Sequence, residues 1–118
     1  MTQTLARLNA AIQRNLSIII NRVINDKIIG FITITEVRTT QDYALSTVFF
    51  TIYDNKDITI NYALKVLEQE KSNIRLELAK SISYAKRIPN LSFKYDNSLA
   101  YSKHIEDIIK EIHEKEKK

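Results

Sequence analysis

Apolar side chains recur every three or four positions through the first part of the chain: Leu5, Leu8, Ile12, Leu16, Ile19 and Val23. That spacing predicts an amphipathic helix over residues 3–25. Asp26 to Gly30 closes it, with Gly30 able to adopt a positive φ that other residues resist. Residues 31–38, Phe-Ile-Thr-Ile-Thr-Glu-Val-Arg, are β-branched and alternating, which predicts a strand. After the polar break Thr39-Thr40-Gln41-Asp42, residues 44–53 alternate again. Ser46, Val48, Phe50 and Ile52 face a core, and Thr47, Phe49, Thr51 and Tyr53 face away. The two strands make a hairpin.

Asp54-Asn55-Lys56-Asp57 reads as a turn, with Asp57 placed to cap a helix that reaches Gln69. Ile60, Ala63, Leu64 and Leu67 point inward on it. A separate helix starts near Ser72, with Ile74, Leu78, Ile82 and Ala85 on one face. It must end by Ile88, because the residue before Pro89 is pushed out of the helical region. Residues 90–95 form a third strand, with Leu91, Phe93 and Tyr95 on one side. Ser98 or Asn97 caps a last helix carrying Tyr101, Ile105, Ile108 and Ile112. The order α-β-β-α-α-β-α, with helices on one face of three short strands, is an α+β two-layer sandwich. One domain is expected over 1–113, and the charge run 114–118 is a tail expected to fray.

The composition removes several classes of chemistry. There is no cysteine among the 118 residues, so disulfide scaffolds and thiolate metal sites are out. A single glycine leaves no Gly-rich phosphate loop and no nucleophile elbow around a serine. His104 and His113 are nine residues apart on one expected helix, half a turn out of phase, and share no metal. Asp54 and Asp57 serve turn and cap. Neither a catalytic site nor a cofactor is expected. No secretory signal and no run of about 20 apolar residues is found, so a cytoplasmic protein is expected.

The charge is unevenly placed. Residues 1–70 hold seven Lys/Arg and seven Asp/Glu. Residues 71–103 hold seven bases, among them Lys71, Arg75, Lys80, Lys86, Arg87 and Lys94, against Glu77 and Asp96 alone. A basic segment on a neutral body suggests an anionic partner, nucleic acid first. A solvated helix face carrying lysines for solubility is the alternative.

Three segments resemble the bacterial ribosome-binding factor A family: Ile34-Thr35-Glu36-Val37-Arg38, then Asn73-Ile74-Arg75-Leu76-Glu77-Leu78-Ala79-Lys80, and above all the run from Arg87 to Ser98. The Arg-x-Pro-x-Leu-x-Phe-x-Tyr-Asp-x-Ser pattern in that last run is the most specific. Asp26 to Gly30 joins them, and the resemblance runs from the first helix to about Ile112. It implies a KH type II-like fold with a kinked helix–helix junction in place of the Gly-x-x-Gly turn. It also implies a monomeric, non-enzymatic, cytoplasmic assembly factor that uses no cofactor. Such a factor binds the free 30S ribosomal subunit and assists late maturation of 16S rRNA, including its 5′ end, with a link to cold adaptation. The family's Ala-x-Gly kink reads Lys71-Ser72-Asn73 here, and its Asp-Pro-Arg reads Asp26-Lys27-Ile28.

The candidate rRNA-contacting set is Lys71, Ser72, Asn73, Arg75, Lys80, Lys86, Arg87 and Lys94, acting by phosphate neutralisation and shape reading. Lys71 and Asn73 are expected at a helix N-terminus, where free N–H groups favour phosphate. Arg75 has a rival role in a salt bridge, and Lys86 and Arg87 a rival role at a helix C-terminus. Phe49 and Tyr53 either stack bases or, as expected here, pack across strands. At the level of function the alternative is a protein–protein adaptor whose basic patch meets an acidic partner.

Overall fold

The computed structural model describes residues 3–83, 85 and 87–98. They form helix α1 (Gln3–Val23), strands β1 (Ile32–Thr39) and β2 (Leu45–Ile52), helix α2 (Asp57–Ser81) and strand β3 (Asn90–Tyr95). β2 is central: β1 pairs with it antiparallel and β3 parallel, so the sheet is mixed. Both helices pack on one sheet face, as the α+β sandwich requires.

Alternation decides which face that is. Ser46, Val48, Phe50 and Ile52 of β2 are buried, together with Leu91 and Phe93 of β3. β1 begins in the same phase with Ile32 and Ile34, then changes it. A register shift between Ile34 and Glu36 lets Val37 face inward three residues after Ile34. Ile12, Leu16 and Ile20 of α1 and Ala63, Leu67, Ile74 and Leu78 of α2 cover this face without solvent exposure. The Phe50 and Tyr95 rings meet edge to face at 5.6 Å. The buried hydroxyls of Thr39 and Ser46 satisfy each other at 2.7 Å.

Asparagine and aspartate side chains fix the loops. The Asn21 amide bonds Ile32 in both directions at 2.8 Å, clamping α1 to the start of β1 as a strand neighbour would. Asp26 accepts from the Ile28 and Ile29 N–H groups and from the Tyr62 hydroxyl at 2.6 Å, which ties this loop to α2. Gly30 follows at φ +71°. Asp96 accepts from Ser98 and, at 2.6 Å, from Thr35 beside the β1 irregularity.

The expected pair of central helices is a single one. α2 runs without interruption from Asp57 to Ser81, straight through Gln69–Asn73. Leu67 and Ile74 lie seven positions apart on one buried stripe, so packing favours continuity over the modest helix penalties of Ser72 and Asn73. Ion pairing of Lys71 with Glu68 at 2.8 Å and the Asn73–Glu70 hydrogen bond at 3.0 Å span the same turn. The helix also stops earlier than Pro89 demands, at Ser81, with Ile82 closing it in a non-helical conformation. Asp57 is not the cap either. Lys56 occupies that position without a side-chain bond, and Asp54 instead accepts from the Lys56 N–H and the Thr59 hydroxyl. The last helix, both histidines and the 114–118 tail lie outside the described residues.

Two outcomes test this architecture. In an uninterrupted helix Asn73→Ala stabilises by about 0.5 kcal/mol through propensity; at a left-handed junction it would cost about 1–2 kcal/mol. Urea unfolding reads the sign. The second concerns acid. Hydrogen bonds hold Asp26 (chiefly from Tyr62), Asp54 (chiefly from the Lys56 N–H) and Asp96 (chiefly from Ser98) below the usual carboxylate range. Depressed folded-state values stabilise the fold above the unfolded carboxyl pKa, and this stabilisation is lost as pH falls through them. The melting temperature should therefore drop below about pH 4, and Asp26→Asn should flatten that drop.

Candidate nucleic-acid interface

Because Lys71 and Arg75 are four residues apart on α2, they share a helix edge, and Ser72 flanks them. This edge faces the start of β3. Lys71, Ser72, Arg75 and Asn90, with apolar Leu76 and Leu91 between, line a cleft of about 550 Å³. Three of the eight candidates thus come together. Asn73 lies on another side of the helix and Lys80 lies beyond the cleft. Lys94 projects from the opposite, helix-free face of the sheet, in register with Phe49. Arg87 is exposed in the connection to β3, and Lys86 lies outside the described residues.

The expected phosphate site at a helix start is absent. Lys71, Ser72 and Asn73 sit in mid-helix, where backbone N–H groups are taken up by carbonyls four residues back. Any anion here meets side chains only. Several are already engaged: Lys71 with Glu68, Lys80 with Glu77 at 3.9 Å, and Asn73 with Glu70. Glu77 also meets Arg22 of α1 at 3.5 Å. Exposed pairs of this kind are worth about 0–1 kcal/mol and exchange readily for a phosphate.

Arg75 is different. Its Nε donates to the Pro89 carbonyl at 3.0 Å and its guanidinium also reaches the Ile88 carbonyl. It is paired with backbone rather than with the carboxylate considered as its rival role. The fork fixes the segment that leads into β3, so Arg75 shapes the cleft more than it offers charge to it.

The outer sheet face carries a contact that composition did not reveal. The Arg38 guanidinium lies over the Phe49 ring, 5.4 Å from its centroid, and also meets Glu36. Phe49 is half-buried. Tyr53, expected to pack across strands, is fully exposed instead. It follows Ile52, the last residue of β2 to pair with β1, and so has no strand neighbour. Unbroken alternation from Ile32 and Ile34 would turn Arg38 inward. The register shift between Ile34 and Glu36 turns it outward, so the sequence pattern carried no signal for this contact. A second missed feature is on α1: Arg7 and Arg14, seven residues apart, stand beside Arg87. No group of three His, Cys, Asp or Glu among the described residues is placed to hold a metal, and no described helix is long and apolar enough to cross a membrane.

Comparison with known proteins gives a consistent result. The family model described as ribosome-binding factor A matches residues 4–109. The chain is 40% identical over 112 residues to a ribosome-binding factor A of Phytoplasma mali, covering 95% of this chain and 98% of that protein. It is 36% identical over 110 residues to that of Staphylococcus carnosus, covering 93% and 94%. Among solved structures, the fold is similar to crystalline ribosome-binding factor A from Thermus thermophilus, with TM-score 0.67 and 23% identity over 77% of this chain and 94% of that one. It is also similar to a homology model of the Thermus thermophilus factor fitted into a cryo-EM map of its complex with 30S, with TM-score 0.63, 20% identity and 75% and 91% coverage.

The Arg75 geometry makes its own prediction. Arg75→Ala should lower stability by roughly 1 kcal/mol by leaving two carbonyls without their donor. Arg75→Lys should not restore it, since an ammonium cannot reproduce the planar fork. Thermal unfolding of the two variants checks both statements.

Proposed function

On the premise that the chain belongs to the ribosome-binding factor A family, we propose that it is an assembly factor that binds the free 30S ribosomal subunit. It contacts 16S rRNA there and assists late maturation, including processing at the 5′ end. The match across residues 4–109, with relatives 36–40% identical over nearly their full lengths, carries this reading. The surface supports it: Lys71, Lys80, Arg87 and Lys94 are cations on three different elements of a small domain. They are held by nothing stronger than exposed ion pairs where they are paired at all. Such an arrangement neutralises phosphates and reads the shape of folded RNA, with no catalytic step and no cofactor. The protein acts as a monomer in the cytoplasm, where ribosomes assemble.

Sedimentation of a lysate through a sucrose gradient tests the proposal. The protein should co-migrate with free small subunits and be absent from whole ribosomes. A Lys80→Glu, Arg87→Glu, Lys94→Glu variant should drift to the top of the gradient. Release of counterions from about five phosphates should give a log–log salt slope near −3.5 to −4.5. A native protein that stays at the top at low salt overturns the ribosomal reading, and a shallow slope favours a protein adaptor.

A further inference from the structure

Arg7 and Arg14 are separated by nearly two full turns of α1, so they project from the same side of the helix, about 10 Å apart along its axis. Leu8 and Ala11 continue the stripe between them. This side of α1 faces Tyr43 from the β1–β2 connection and Ala85 and Arg87 from the segment before β3. Together they enclose a groove of about 780 Å³. Its floor is apolar, with Leu8, Ala11 and Ala85, and its rim carries three guanidinium groups.

The electrostatics are one-sided. α1 contains no acidic residue along its length. Among the described residues, the arginines held in ion pairs are Arg22 and Arg38, not Arg7, Arg14 or Arg87. Arg87 acts on the Asp42 carboxylate. That carboxylate is held below the usual range chiefly by the Thr40 hydroxyl and the Ala44 N–H, and only slightly by that arginine. Tyr43 occupies the left-handed region at φ 60°, a conformation that disfavours bulky residues, and it places an aromatic side chain in the groove wall.

We propose that this groove binds one unpaired nucleotide of an RNA strand. The base lies on Leu8, Ala11 and Ala85 beside Tyr43, and its phosphate and the neighbouring ones lie on Arg7, Arg14 and Arg87. This deepens the rRNA-binding reading and rests on it. Guanidinium forks match phosphate oxygens bidentately, and an apolar concavity between them suits a planar base. A duplex keeps its bases stacked inside and offers only phosphates to such a site, whereas a single strand offers both. An acidic peptide would satisfy the arginines and leave the apolar floor bare.

Fluorescence anisotropy with a labelled 12-nucleotide single-stranded RNA, a duplex of the same length, and polyglutamate as competitor tests the proposal alongside co-sedimentation with purified 30S subunits. The single strand should bind at least tenfold more tightly than the duplex. Arg7→Glu with Arg14→Glu should weaken it at least tenfold. Ala10→Trp is the sharper variant, because Ala10 is exposed on the groove's edge and the indole blocks it while every charge stays in place. It should weaken single-strand binding about tenfold with an unchanged melting temperature. Tyr43→Asn, which tolerates the left-handed backbone, should weaken it as well and is a second reading if the Trp variant misfolds. Undiminished binding by folded Ala10→Trp or Tyr43→Asn, equal affinity for duplex, or displacement by polyglutamate as effective as by RNA each overturn the groove. If 30S co-sedimentation persists in those cases, the ribosomal reading stands without it. If the protein binds the single strand in the groove but misses the 30S fractions, the ribosomal reading falls and the groove remains.

Discussion

β3 runs parallel to β2, and that constraint organises everything after residue 52. A chain leaving β2 at Ile52 must return to the other end of the sheet before β3 can start, which a tight turn cannot do. α2 makes the return. With 25 residues it is about 37 Å long, against about 20 Å for the six residues of β3. The helix overshoots the sheet, and residues 82–89 must come back to it. Arg75 holds this returning segment by its carbonyls, and Asn90 is then delivered to the Ala44 carbonyl at 3.0 Å. The cleft between α2 and β3 is a by-product of the overshoot and its correction.

Much of this was legible in the chain. The bounds of β3 agree to the residue, the inward set of β2 agrees completely, and Gly30 has the positive φ assigned to it. The continuity of α2 was missed, although the signal was present: Ala63, Leu67, Ile74 and Leu78 keep one helical phase across the supposed break. The expectation of a junction came from dividing the apolar positions into two sets, Ile60 to Leu67 and Ile74 to Ala85, on either side of the polar stretch Gln69-Glu70-Lys71-Ser72-Asn73. Local polarity is a weak breaker when apolar residues on both sides continue the same stripe. The capping role assigned to Asp57 failed for a similar local reason. Asp54 lies three residues earlier, where its two carboxylate oxygens reach both Lys56 and Thr59.

The charge count identified the cations but not what they do. Lys71 and Lys80 lean on glutamates one helical turn away, contacts weak enough to exchange. Arg75, counted with them, is committed to backbone carbonyls and serves architecture. In the other direction, residues 1–70 balance on paper, yet the fold separates their charges. Arg7 and Arg14 are on a helix without acids, while Glu68 and Glu70 are beside Lys71 and Asn73 on α2. A linear tally averages over distances that the folded chain does not, and Coulomb interactions depend on those distances.

The topology also sets an order in time. β1 and β2 are joined by a short turn and can pair within microseconds, with α1 close in sequence to cover them. The β2–β3 ladder must wait for the whole of 53–89 to be traversed, and such non-local pairings form slowly because loop-closure entropy is paid first. The Arg75 fork and the cleft it shapes exist only after this last step. The part of the interior built by α1, β1 and β2 can thus form first, while Leu91 and Phe93 enter it only in the step that also assembles the cleft. Engagement through that cleft therefore reports that the last strand has docked.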